Sequence, residues 1–298
     1  MILLTVILPV FLIGGAGFVF GRIQRFDAKP LVHIAFYLLS SALIFRSVYT
    51  STASGQSVGQ IALFIVLLQG SLFALSRIAG RVFGWDDDTR AAGSLMLTFS
   101  NSGNYGLPVL LFAFGEAGFN LGVIYMLAST IMQGTLGASI ASWRSGTQVL
   151  QGIGRVLRIP WLYVLGLALV VRAVGWTVPA GIYRAVDLLA DAAIPLQLVL
   201  LGIQLSRISL RSIGREALWL TAMKLLIPPL LGWGLTAALG IGGLLQAVLI
   251  VEGSMPSAII SLLLSMNYQR RPELTASVVL LTTAFSLVSL SILLSLLT

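Results

Sequence analysis

Two short stretches hold most of the residue types that could bind or couple a solute. Asn101-Ser102-Gly103-Asn104-Tyr105-Gly106-Leu107-Pro108 and Glu252-Gly253-Ser254-Met255-Pro256-Ser257 both lie inside apolar runs and both combine Pro with Gly and side-chain hydrogen bonders. Proline removes a backbone donor and clashes with the preceding turn, so each stretch predicts an interrupted membrane helix. Backbone groups freed in this way are tolerated at membrane depth only where they line a cavity or are bonded by neighbours. Superposing Pro108 on Pro256 sets Asn104 opposite Glu252, and two matched breaks point to one shared site. The half-helices beyond the breaks would aim their positive N-terminal ends at it, which suits a small anion. One break alone reads as well as a packed kink, because Gly and Pro are common in membrane helices; the pair is what argues for function.

Ionisable groups inside the membrane are costly, which makes each a functional candidate. Glu252 lies about 13 Å along its helix at 1.5 Å per residue, near the bilayer centre. It is read either as a group that exchanges protons during transport or pairs with Lys224, or as a static support of the break. Lys224 either snorkels toward the cytoplasmic face or is a buried partner of Glu252 or Asp191. Asp187 and Asp191 stand one turn apart: the first is expected as a solvated charge at a helix N-terminus, the second as a deeper group able to support a cation. Sodium ranks below proton coupling or uncoupled transport. Gln133 and Tyr125 either bond a neighbouring helix or face the cavity. His33 is expected at the interface, Asp86-Asp87-Asp88 as a solvated loop run, and Trp85, Trp143 and Trp161 as aromatic-belt anchors.

These residues need elements to carry them. The chain has 298 residues, 57% hydrophobic and 9% charged, with a mean hydropathy of +0.99. A soluble globule runs near 25% charged, so the composition predicts an all-α integral membrane protein. Apolar runs cover residues 2–20, 31–50, 58–80, 91–114, 118–142, 160–178, 186–206, 217–239, 243–265 and 274–297, giving ten spans. The first run lacks the basic lead and cleavage site of a signal peptide and is read as a helix. Of the 18 Lys and Arg, 14 fall in the odd-numbered connections and Lys224 falls within the eighth run. Positive charge stays cytoplasmic, so the odd connections face in and both termini face out. The chain is expected in the plasma membrane or the bacterial inner membrane.

The connection 143–159 separates residues 1–142 from 160–298, five runs each. Five is odd, so two homologous units in tandem would enter the membrane with opposite polarity, as inverted repeats do. The +8 net charge is scattered between runs without the face-wide patch that nucleic acid requires. Absence of Cys excludes disulfides and thiolate chemistry. No Walker A and no His-Glu-x-x-His occurs, so neither ATP hydrolysis nor zinc hydrolysis is expected. An enzyme is not expected, and no cofactor or metal site is.

At Asn101–Pro108, followed by Phe114-Gly115 and Gly118, the chain resembles the auxin efflux carrier family. Ala192-Ala193-Ile194-Pro195-Leu196 through Leu201-Gly202, Lys224 before Pro228, and Ser254-Met255-Pro256-Ser257-Ala258 extend the likeness in order. The resemblance implies a ten-helix inverted repeat like that of bile-acid/sodium symporters, with runs 4 and 9 crossed and broken. It implies a scaffold of runs 1, 2, 6 and 7 and a homodimer. It also implies a substrate carboxylate beside Asn101, Asn104, Tyr105, Gly106, Pro108, Met255, Pro256 and Ser257. Glu252, Asp191, Lys224 and Gln197 are the candidates for ion coupling or support. The chain departs from the family pattern at Ser40-Ser41, where Pro is often found, at Gln197, where a small residue is common, and at Glu252. The expected function is a secondary transporter of a small organic anion by alternating access; a sodium or other cation/proton antiporter is the alternative.

Overall fold

The computed structural model describes residues 3–24, 26–51, 53–142, 160–208 and 213–297. The expectations for Trp143 and for the 143–159 connection lie outside the described residues. Among those described, every extended element is helical: a π-helical lead at Leu3–Ile7, then α1 (Leu8–Ile23), α2 (Lys29–Thr50), α3 (Gly55–Val82), α4 (Asp87–Thr98), α5 (Ser102–Ser142), α6 (Pro160–Ala173), α7 (Ala180–Ser206), α8 (Arg215–Ala238), α9 (Gly243–Gly253), α10 (Ile259–Asn267) and α11 (Pro272–Leu297). Counting α1 together with its π-helical lead as Leu4–Ile23, seven of the described helices are long and apolar enough to cross a membrane. The longest, α5, turns at Gly115, whose φ of 63° is reached cheaply only by glycine, so residues 102–114 and 116–142 are separate rods. Helix α7 starts six residues before its apolar run, because Pro179 ahead of Ala180 sets the entry and polar residues continue the helix.

The chain clusters into two compact units, each drawn from both halves of the sequence. One comprises residues 8–53 and 157–207 and carries α1, α2, α6 and α7, the runs that the resemblance assigns to a scaffold. Its α1 and α7 approach until backbones meet: a Cβ on Gly202 would collide with the Gly14 carbonyl, and one on Gly17 with that of Val199. Close packing through small residues is how helices associate where lipid supplies no hydrophobic drive. Gly202→Val is therefore expected to destabilise the protein by about 1–3 kcal/mol or more, read as a lowered melting temperature in detergent, whereas the same change at Gly166, which has open space around it, is expected to be silent.

The other unit comprises residues 1–7, 54–156 and 208–298. Its core is a buried cluster of Ile61, Phe64, Ile65, Leu68 and Leu72 from α3 with Leu97, Tyr125, Ile241 and Leu249. Its outward faces stay apolar, with Leu226 and Leu230 of α8 63% and 69% exposed. Contiguous apolar surface of this kind is stable in lipid and not in water.

Candidate functional site

Helix α4 stops at Thr98 and α9 at Gly253, and the extended segments after them cross inside the second unit. Ser100 and Ser257 form an isolated antiparallel bridge. The Asn101 N–H donates to the Pro256 carbonyl at 2.8 Å, and the Ala258 N–H to the Phe99 carbonyl at 3.1 Å. Side chains repeat the exchange: Ser100 Oγ donates to the Gly253 carbonyl and Ser257 Oγ to the Met96 carbonyl, each at 2.8 Å. A shift of 157 positions, from Ser100 to Ser257, carries every one of these bonds onto its counterpart. The last carbonyls of a helix have no intrahelical donor, and here each interrupted helix receives a hydroxyl from the other.

This register differs from the one expected from the prolines. Ser100 meets Ser257; Pro108 does not match Pro256. Pro256 lies in the extended crossing, where it needs no N–H, while Pro108 lies in the first turn of the helix that follows a π-turn at Ser102–Gly106. Proline at 256 is tolerated because the extended crossing requires no donor from it, and Pro108 falls where the wider π-helical turn passes into α-helix. Glu252 consequently faces Gly106 and not Asn104: a Cβ on Gly106 would stand 2.5 Å from Glu252 Oε2, and one on Gly122 3.2 Å from Oε1. Both carboxyl oxygens are buried without a hydrogen-bond partner among the described residues.

Lys224 corrects a second expectation. It neither snorkels nor pairs with an acid: it is 0% exposed, and its Nζ donates to the Leu97 carbonyl at 3.0 Å and to Ser100 Oγ at 2.9 Å. The ammonium sits at the carbonyl end of α4, where the helix dipole favours a cation. A chain of bonds thus runs from Lys224 Nζ through the Ser100 hydroxyl to the Gly253 carbonyl, tying α8, α4 and α9 together. Gln133 adds a long contact from Nε2 to the Ser100 carbonyl at 3.4 Å.

Of the other candidates, Asn101 is buried with Nδ2 unpartnered at the start of the α5 rod, and Met255 is wholly buried. Asn104 is half-buried. The Tyr105 hydroxyl is engaged with Ser286 Oγ at 2.9 Å on α11. Ser257 is also tied to that helix, its N–H donating to Thr282 Oγ1 at 3.2 Å. Asp191 and Gln197 belong to the other compact unit. Arg46 Nη1 binds Asp187 at 2.9 Å and Asp191 at 2.5 Å, so the cation at that acidic pair is a guanidinium, and Asp187 is neither in a first helical turn nor left to solvent alone. Gln197 Nε2 donates to Ser40 Oγ at 3.1 Å. The two departures from the family pattern on α2 and α7 are therefore one complementary pair.

The acidic run is likewise structural. Asp86 caps α4 by accepting the Thr89 N–H at 2.7 Å, Asp88 is bound by Arg270, and Arg271 stands 3.9 Å from Asp86. Trp85 and Trp161 are buried at 8% and 2% exposure, not displayed as belt anchors, while His33 is exposed and edge-on to Tyr37.

Ser100, Thr282, Ser286 and Gly122 were not singled out from sequence. Ser100 adjoins Asn101, and only the bridge to Ser257 distinguishes it from other membrane serines.

The profile of the family described as membrane transport protein matches residues 2–151 and 151–294, the two segments together spanning nearly the whole chain. The chain belongs to the auxin efflux carrier family. An uncharacterized transporter of Methanothermobacter thermautotrophicus is 29% identical over 288 residues, covering 95% of this chain and 94% of the relative. An uncharacterized transporter of Methanocaldococcus jannaschii is 26% identical over 293 residues, covering 96% and 95%. Membership in this carrier family makes the protein a multi-pass membrane transport protein.

Proposed function

We propose that this carrier moves a small organic anion across the cell membrane by alternating access at the crossing of the two interrupted helices. The observation that carries the reading is the reciprocal bridge of residues 99–101 with 256–258, beside the unpartnered Asn101 Nδ2. The carbonyl ends of α4 and α9 are capped by Ser257, Ser100 and Lys224, which leaves the N-terminal ends of α5 and α10 as the electropositive termini available to a carboxylate. Asn101, Asn104, Gly106 and Pro108 on one side and Met255, Pro256 and Ser257 on the other frame that guest. Counting the two rods of α5 separately, and each interrupted pair and α6 as spans, gives ten crossings in two inverted repeats, with both termini outside by the distribution of Lys and Arg. A homodimer is part of the same reading.

Thermal stabilisation of the purified protein tests it. Among auxin, malate, malonate and sodium chloride, a carboxylate is expected to raise the melting temperature and sodium alone is not. Stabilisation by sodium without any organic ligand would replace this reading with the cation/proton antiporter.

Glu252 is the observation that favours that second reading, because an acid with two unpartnered oxygens between Gly106 and Gly122 is suited to bind and release a proton or another cation. Asp191, the other acid considered for a cation, is bound by Arg46. Glu252→Gln is expected to flatten the pH dependence of transport measured in proteoliposomes. An unchanged pH profile removes Glu252 from coupling.

A further inference from the structure

We infer that α3 and α8 hold the headgroup of an anionic phospholipid between Arg81 and Arg215. The two helix ends are joined by an aromatic stack: the Phe83 ring lies 5.5 Å from that of Trp219, nearly parallel, with an interplanar angle of 27°. Both rings face outward, Phe83 44% and Trp219 51% exposed. Arg215 and Trp219 are one turn apart on the same face of α8, and that face continues as Leu218, Leu226 and Leu230, all exposed. On α3, Ile78 (54% exposed) stands one turn before Val82, which adjoins Arg81. Both lipid-facing stripes thus end in an arginine at the level of the same aromatic pair.

Aromatic rings at that level mark the membrane interface, and basic residues immediately beyond them meet phosphate. The two guanidiniums are spare. Neither Arg81 nor Arg215 has a side-chain hydrogen bond or ion pair among the described residues, although three aspartates lie a few positions beyond Phe83. Those acids are engaged elsewhere: Asp88 by Arg270, Asp86 by Arg271, and Asp87 by Arg90 at 3.7 Å. Glu216 turns back toward its own Gly214. With Glu216 counted beside Arg81 and Arg215, the local charge is net positive above an apolar face, which fits an acidic headgroup with acyl chains below it. A bound lipid would attach to the unit that contains the helix crossing, so membrane composition would act on that unit. Assignment to the cytoplasmic leaflet rests on the orientation proposed above; binding itself does not, because detergent-solubilised protein exposes both ends.

The test compares phosphatidylglycerol, phosphatidylcholine and inorganic phosphate added to protein in detergent, read by melting temperature and by lipid retention in native mass spectrometry. Phosphatidylglycerol is expected to raise the melting temperature by about 3 °C more than phosphatidylcholine. The double variant Arg81→Gln/Arg215→Gln is expected to lose most of that difference, and Arg22→Gln, on the other unit, to keep it. Equal stabilisation by the two lipids, the same preference in the double variant, or an equal effect of phosphate alone would each overturn the assignment. The two-sidedness of the assay separates this result from the orientation, which accessibility labelling of the termini reads independently.

Discussion

Replacing Lys224 by Met is expected to lower solute flux in proteoliposomes by at least about tenfold while leaving the protein folded. Two hydrogen bonds from a charged donor are lost, and one such bond is worth about 1.5–3 kcal/mol. The loss falls on the crossing: the Leu97 carbonyl is left without its side-chain donor, and the Ser100 hydroxyl loses the partner that fixes its orientation toward Gly253. Stability moves less, because Met fills the same space and no longer requires an ammonium to be held away from water. Ser100→Ala provides the comparison. It breaks the chain at the shared hydroxyl but retains the Lys224 bond to Leu97, so its flux should fall between those of the wild type and Lys224→Met. If Lys224→Met transports normally, the capped crossing is only architecture.

Asn101→Ala carries the second large effect and an unusual sign. Its Nδ2 has no protein partner and is buried, so in the absence of ligand the variant loses no side-chain bond from that atom. An unsatisfied buried donor costs about 1–3 kcal/mol, and its removal is expected to leave the melting temperature unchanged or raised. The bridge survives, since the backbone N–H of residue 101 still reaches Pro256. Affinity for the carboxylate found by thermal screening is expected to fall about 10- to 100-fold, the value of a hydrogen bond to a charged group. Stability retained with affinity lost is the signature of a binding group, and Asn101→Asp, which sets like charge against the guest, should abolish binding. An Asn101→Ala protein that binds as well as the wild type moves the substrate away from the crossing.

The membrane-embedded character of the chain was legible because hydropathy is additive along the sequence. Runs such as 58–80 and 217–239 reappear as α3 and α8 within a few residues. The presence of two breaks was legible as well, since Gly and Pro act on the backbone of their own neighbourhood. Their register was not. Pro108 and Pro256 look alike in sequence, yet one opens a helix and the other crosses a gap, and only the pairing of Ser100 with Ser257 tells them apart. The polar partners were equally hidden. Lys224 had three acceptable fates by sequence, and the free carbonyls at the end of α4 with the Ser100 hydroxyl imposed a fourth. Asp187 read as a solvated charge and Asp191 as a support for a cation until Arg46, 141 and 145 positions away, closed on both.

Sequence by itself determined that this chain is helical, belongs in lipid and carries two interruptions rich in hydrogen-bonding groups, because each of those properties follows from the composition of a short segment. The tertiary structure decided which interruption residue meets which, what each buried charge is bonded to, and that Glu252 lies between two glycines without a partner. Those outcomes depend on distances between segments far apart in the chain, and a hydrogen bond a few ångströms long is fixed only when packing has brought its two ends together.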